Sequence, residues 1–195
     1  MTMNGDLRAR LICAGKRSLA RIGARRFIRQ QDGATTVEFA LVAAPFLAMI
    51  FAIIETAIVF FAGQTLETAG ADSARLIMTG QAQTQGFDQA KFKEAVCGRI
   101  YGLFNCSGGL YVDVKNYSSF AAISNNKPID ANGNLQTGTF GYAPGGPGSI
   151  VVVRLMYQWP VYVSLLGLNL ADSAGNKRLL MSTVAFRNEP YAGGP

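Results

Sequence analysis

The feature that most constrains this chain is an apolar run from Val37 to about Ala62. As a helix, its twenty-six residues rise about 39 Å, against a bilayer hydrocarbon core of about 30 Å. Phe39 to Ile54 carries no charge. Glu38 stands at the start of the run. Glu55 follows roughly 24 Å above Phe39 and falls near the far interface, where a carboxylate costs less than at the bilayer centre. Pro45 removes one backbone donor and predicts a kink or loosening near Leu41, which a membrane tolerates where neighbours satisfy the freed carbonyl. A secretory signal has a shorter apolar region, of about 7–15 residues. The run therefore reads as a retained anchor. Ala62-Gly63-Gln64 marks where the signal-peptide alternative would cut.

Charge gives the anchor a direction. Arg8, Arg10, Lys16, Arg17, Arg21, Arg25, Arg26 and Arg29 precede it against Asp6 and Asp32, whereas the remainder after Ala62 is close to balance. Basic flanks stay cytoplasmic under the positive-inside rule. The distal part then lies on the far side of the membrane, periplasmic or extracellular. A nucleic-acid arm fits less well, because the basic tract abuts a span and no stacking aromatics interleave with it. No nucleic acid is expected as a partner.

With no histidine in the chain, the commonest general base, the usual nucleophile triads and most catalytic zinc sites are excluded. Asp113, Asp130 and Asp172 lie on separate elements, and no nucleotide loop or metal-ligand cluster is present. No catalytic residue, metal or cofactor is expected, and the chain reads as a non-enzyme. Cys13 falls in the basic flank. Cys97 and Cys106 fall beyond the span, where an oxidising compartment permits a bridge; two separate thiols are the alternative.

Periodicity divides the chain into a basic leader (1–33), a membrane and extended amphipathic helix (34–86), an α+β domain (87–191) and a short tail (192–195). After the span, Leu66, Ala69, Gly70, Ser73, Leu76, Ile77 and Gly80 recur at helical spacing, with Glu67, Asp72 and Arg75 off the stripe. Gly80 or Gly86 ends the helix. Asp88 caps a second helix running to about Leu103, whose buried stripe is Phe92, Val96, Ile100 and Leu103. Strands are expected at Leu110–Phe120, Ser149–Val163 and, as the last, Arg178–Phe186. They are separated by loops and so read as antiparallel. The segment 124–149 is long for a connection, and Asn132-Gly133 signals a short hairpin inside it. Tyr157, Trp159 and Tyr162 read first as packing aromatics.

Glu38 calls for a partner, because an acid just inside a membrane segment is costly alone. A cut after Gly33 would place a new α-ammonium at Ala34, on the same helix face as Glu38 four residues on. That ammonium, from the same or an adjacent subunit, would neutralise the acid and set axial register. Solvation by lipid head groups is the plainer alternative.

Arg25-Arg26, Gly33, Glu38 and Phe39 resemble a type IV prepilin processing site of the Flp branch. Ala74-Arg75 with Thr79-Gly80, the block Pro144 to Tyr157 with Trp159-Pro160, and Phe186-Arg187-Asn188-Glu189-Pro190 extend the resemblance to TadE-like pseudopilins. The resemblance implies an inner-membrane precursor that supports tight-adherence pili, used in adhesion and biofilm formation. It implies a prepilin peptidase, other pilins or pseudopilins and further secretion components as partners. Gly33 and Ala34 would flank the cut, with Glu38 and Phe39 as recognition or assembly residues. An uncleaved, TadG-like single-pass scaffold of the same apparatus is the alternative.

Overall fold

The computed structural model describes residues 33–100, 102, 105–124, 126–162, 167 and 169–191. The basic leader with Cys13, Leu103 of the expected stripe and the tail 192–195 lie outside the described residues. Two units are distinguished, one ending at Ala48 and the other beginning at Met49.

Helix α1 spans Ala34–Met78 and continues through Pro45. In the second unit its covered positions include Ala52, Glu55, Val59, Ala62, Leu66, Ala69, Ser73 and Ile77, with Gly70 and Ala74 beside them. These recur in steps of three and four, which keeps one stripe turned toward a partner along the helix. The partner is a three-stranded sheet. The helix ends as its glycine signals: Gly80 takes φ 78, a conformation that costs other residues a steric clash. The Glu189 N–H then donates to the Met78 carbonyl at 2.8 Å, satisfying one of the acceptors a helix end leaves open.

A single turn, α2 (Gln81–Thr84), leads to α3 (Gln89–Cys97). Asp88 caps α3 by accepting from the Lys91 N–H at 2.7 Å. The expected continuation to Leu103 does not occur. Gly98 follows Cys97, and glycine is a poor helix former. Cys97 is joined to Cys106, nine residues on, so the chain turns back there. Ile100 is still buried, but past the helix end. The one-turn α4 (Cys106–Gly109) leads straight into β1.

Strands β1 (Leu110–Tyr117), β2 (Ile150–Pro160) and β3 (Lys177–Arg187) form an antiparallel sheet in the order β1-β2-β3. The fold is α+β. β1 stops before Phe120, which lies in a 3₁₀ turn, Phe120–Ala122. β2 stops at Pro160 and not at Val163, because proline brings no N–H to a ladder.

Period-two alternation sends Val112, Val114, Val151, Val153, Leu155, Tyr157 and Leu180 to the face covered by α1 and α3, where they join Leu66, Ile77, Phe92 and Val96 in one core. Val152, Met156 and Leu179 are buried on the opposite side of the sheet. That is why β2 reads as an apolar run interrupted only at Arg154 and Gln158, without strict alternation.

The 124–149 segment is tied down by polar anchors. An isolated Ile129–Leu135 bridge forms around Gly133, which has φ 80. Ala143 donates to Val114 and Val114 to Gly141, both at 2.8 Å, extending the sheet past β1. The Gln83 amide donates to the Pro144 and Gly145 carbonyls, and the Asn188 amide to those of Pro144 and Gly146.

Candidate functional site

In the first unit, Glu38 and Phe39 are exposed. Phe39 is 73% accessible, and Val37, Leu41, Val42, Phe46 and Leu47 are exposed with it. Among the described residues Glu38 makes no hydrogen bond or ion pair. Gly33 precedes α1, and a methyl group added there meets nothing within 4 Å. α1 is the one described helix long and apolar enough to cross a membrane, with a mean hydropathy of 2.4 over its best window. An apolar surface this bare asks for lipid or for other helices.

In the second unit, the far end of the apolar run belongs to the protein core. Val59 is 5% and Ala62 0% accessible. Glu55 is also buried, and one carboxylate oxygen accepts from the Tyr162 N–H at 3.0 Å. Sequence reasoning placed Glu55 by its depth alone and missed this bond, since 107 residues separate the partners. Two contacts give the axial alignment. A methyl group at Gly70 would stand 2.5 Å from Ser182 Oγ and 3.5 Å from Leu155 Cδ1, so Gly70 permits the close approach of helix and sheet. From Leu155 to Tyr162 the chain advances about 23 Å, and from Gly70 back to Glu55 the helix covers about 22 Å. The sheet therefore runs alongside α1, with Tyr162 level with Glu55 and Trp159 about 9 Å farther along, near residue 61.

The three aspartates stay apart. Asp113 is buried on β1, accepts from the Gly141 N–H at 3.0 Å and sits 3.3 Å from Lys115 and 3.9 Å from Arg154. Asp130 closes its own turn, and the N–H groups of Asn134 and Asn132 hold its carboxyl below the usual range against slight desolvation. Asp172 pairs with Lys127 at 2.7 Å and accepts from the Leu179 N–H. Burial raises its pKa, but the bonds from Lys127 and Leu179 outweigh that and leave it lowered. Asp113 and Asp172 each tie a loop to the sheet. Tyr142 packs its ring 5.7 Å from that of Phe92, and burial, with Asp88 nearby, pushes its hydroxyl up to about 12. The Tyr157 and Trp159 rings lie 6.2 Å apart, tilted by 53°, as packing aromatics do, whereas Tyr162 is 79% exposed.

These features define a class: an α+β protein with one candidate membrane helix, bare at its beginning and built into the domain core at its end. Residues 33–75 match the family model for TadE-like protein. Over that segment the resemblance read from the sequence is borne out. No curated protein and no solved structure matches the chain.

Proposed function

We propose that this chain is a minor pseudopilin: a membrane-anchored, non-catalytic subunit that supports assembly of tight-adherence pili. The observation that carries the reading is the division of α1 into two parts. Its first part offers Val37, Phe39, Leu41, Val42 and Phe46 to the outside, as a helix that leaves lipid to pack among other helices requires. Its last part is welded to the sheet, so a force on the helix is delivered to the whole domain. Glu38, unpartnered among the described residues, takes the amino end created by cleavage between Gly33 and Ala34. The basic leader stays cytoplasmic and the α+β domain lies in the periplasm. The prepilin peptidase and other pilins or pseudopilins are its partners.

The test is the mature N-terminus, read by intact-mass spectrometry from cells that also make the peptidase. Ala34 is expected as the first residue. Gly33→Ala should block the cut without disturbing the fold, because a methyl group there meets open space. Persistence of the leader in the wild-type protein would refute processing and leave the uncleaved TadG-like scaffold. Extraction of the protein by alkali would refute the anchor itself.

A further inference from the structure

Beside the buried stripe of α1, Thr56, Phe60, Gly63, Gln64 and Glu67 line a cleft of about 490 Å³ whose opposite wall is Arg178 to Met181 of β3. The volume lies within the range of about 300–1,000 Å³ usual for small-molecule sites. Its floor is apolar, with Val59 and Leu180 beneath. Gly63 opens its middle: a side chain there would meet no atom within 4 Å. The cleft carries both signs of charge at separate points. The Arg178 guanidinium donates to the Leu170 carbonyl at 3.2 Å. Among the described residues, neither Arg178 nor Glu67 has an ion-pair partner.

The height of the cleft suggests its occupant. On the anchored reading the hydrocarbon core ends near Glu55, the first charge after the uncharged stretch 39–54. Ser182 lies against Gly70. Arg178 is four residues nearer the membrane on β3, about 13 Å, and so stands level with about residue 61. That is roughly 9 Å beyond Glu55, and the headgroup layer adds about 5–7 Å to each side of the core. A long guanidinium side chain reaches across the difference. Exposed Tyr162 and Phe60 flank this level, as aromatic residues do at membrane interfaces. Glu67 stands about 9 Å farther out than residue 61.

We propose that this cleft binds one zwitterionic phospholipid with an ethanolamine headgroup. Its phosphate meets Arg178, its ammonium points outward to Glu67, and an acyl chain lies along Phe60 and Thr56 toward the bilayer. A purely anionic lipid would satisfy Arg178 and be repelled by Glu67. The lipid fills the gap between helix and edge strand and fixes the domain's height on the membrane. The inference rests on the anchored reading above.

The experiment is native mass spectrometry of the full-length protein released from nanodiscs of equal phosphatidylethanolamine and phosphatidylglycerol. One retained phosphatidylethanolamine is expected. Arg178→Gln should reduce retention about tenfold, the scale of a lost charge-assisted hydrogen bond. Gly63→Phe should abolish it by filling the cleft, and Glu67→Gln should admit phosphatidylglycerol equally. Equal retention of both lipids by the wild type and all three variants would overturn the proposal, as annular lipid only. So would crosslinking of a second copy through Gly63→Cys with no retained lipid. Alkali resistance of the same samples separates the two claims: an inserted protein that retains no lipid refutes the cleft alone, and an extracted one refutes the anchor.

Discussion

Breaking the Cys97–Cys106 bridge tests both the domain and the compartment it occupies. The bond closes a loop with a sequence separation of nine. In the chain-entropy account, a loop of about ten residues removes roughly 9 cal/mol/K from the unfolded ensemble, or about 2.7 kcal/mol at 25 °C. Both cysteines pack against the main core, so Cys97→Ala with Cys106→Ala also removes some contact area. The pair joins the end of α3 to the turn that feeds β1, and α3 supplies Phe92 and Val96 to the core. Loss of the bond therefore loosens a helix that the sheet needs. For a unit of this size, about 2–3 kcal/mol corresponds to a Tm lower by roughly 5–10 °C. The assay is thermal unfolding of the full chain in nanodiscs, with Cys13→Ser as a control that leaves Tm unchanged. Non-reducing peptide mapping of envelope-extracted protein should recover Cys97 linked to Cys106. Two alkylatable thiols at those positions, or an unchanged Tm in the double variant, would refute the reasoning.

Three further outcomes are expected. Tyr142 binds its proton more tightly when folded, so the stability it contributes is complete below pH 10 and is lost as pH rises toward about 12. Tyr142→Phe should remove that part of the alkaline loss, and at neutral pH it should cost little, because the buried hydroxyl has no hydrogen-bond partner. Asp172 has a lowered folded pKa; its contribution is present above the ordinary carboxylate range and is lost as pH falls through the folded value. Asp172→Asn should flatten the acid limb of a Tm-against-pH curve. Gly80→Ala should destabilise by about 2 kcal/mol or more, from the left-handed backbone and collision with the Tyr191 ring; urea unfolding reads it, and Tyr191→Ala in the same chain should recover part of the loss.

Much of the fold was legible because it rests on local periodicity. Leu66, Ala69, Ser73 and Ile77 are buried as their helical spacing predicts, and Glu67, Asp72 and Arg75 face out. Asp88 caps as its position before an apolar period suggests. The ends were less legible where a long-range tie or a missing donor overrides propensity, as at Cys97 and Pro160. Asn188 reads from the sequence only as part of the last ordered stretch of the domain; it is 3% accessible and holds the Pro144–Gly146 turn. No local signal reports a bond across more than forty residues.

By itself the sequence determined that there is one long apolar helix, that basic charge precedes it, and that antiparallel strands follow. Those properties follow from residue order: apolar length, charge asymmetry and side-chain period. Where the bare part of the helix gives way to the part covered by the sheet was decided only by tertiary structure. An apolar residue is equally content in hydrocarbon and in a protein core, so Val59 and Ala62 read the same either way until the sheet is seen lying against them. The same packing joins Glu55 to Tyr162 and sets Arg178 and Glu67 on opposite walls of one cleft, because side chains distant in sequence meet only when helix and strands are laid in register.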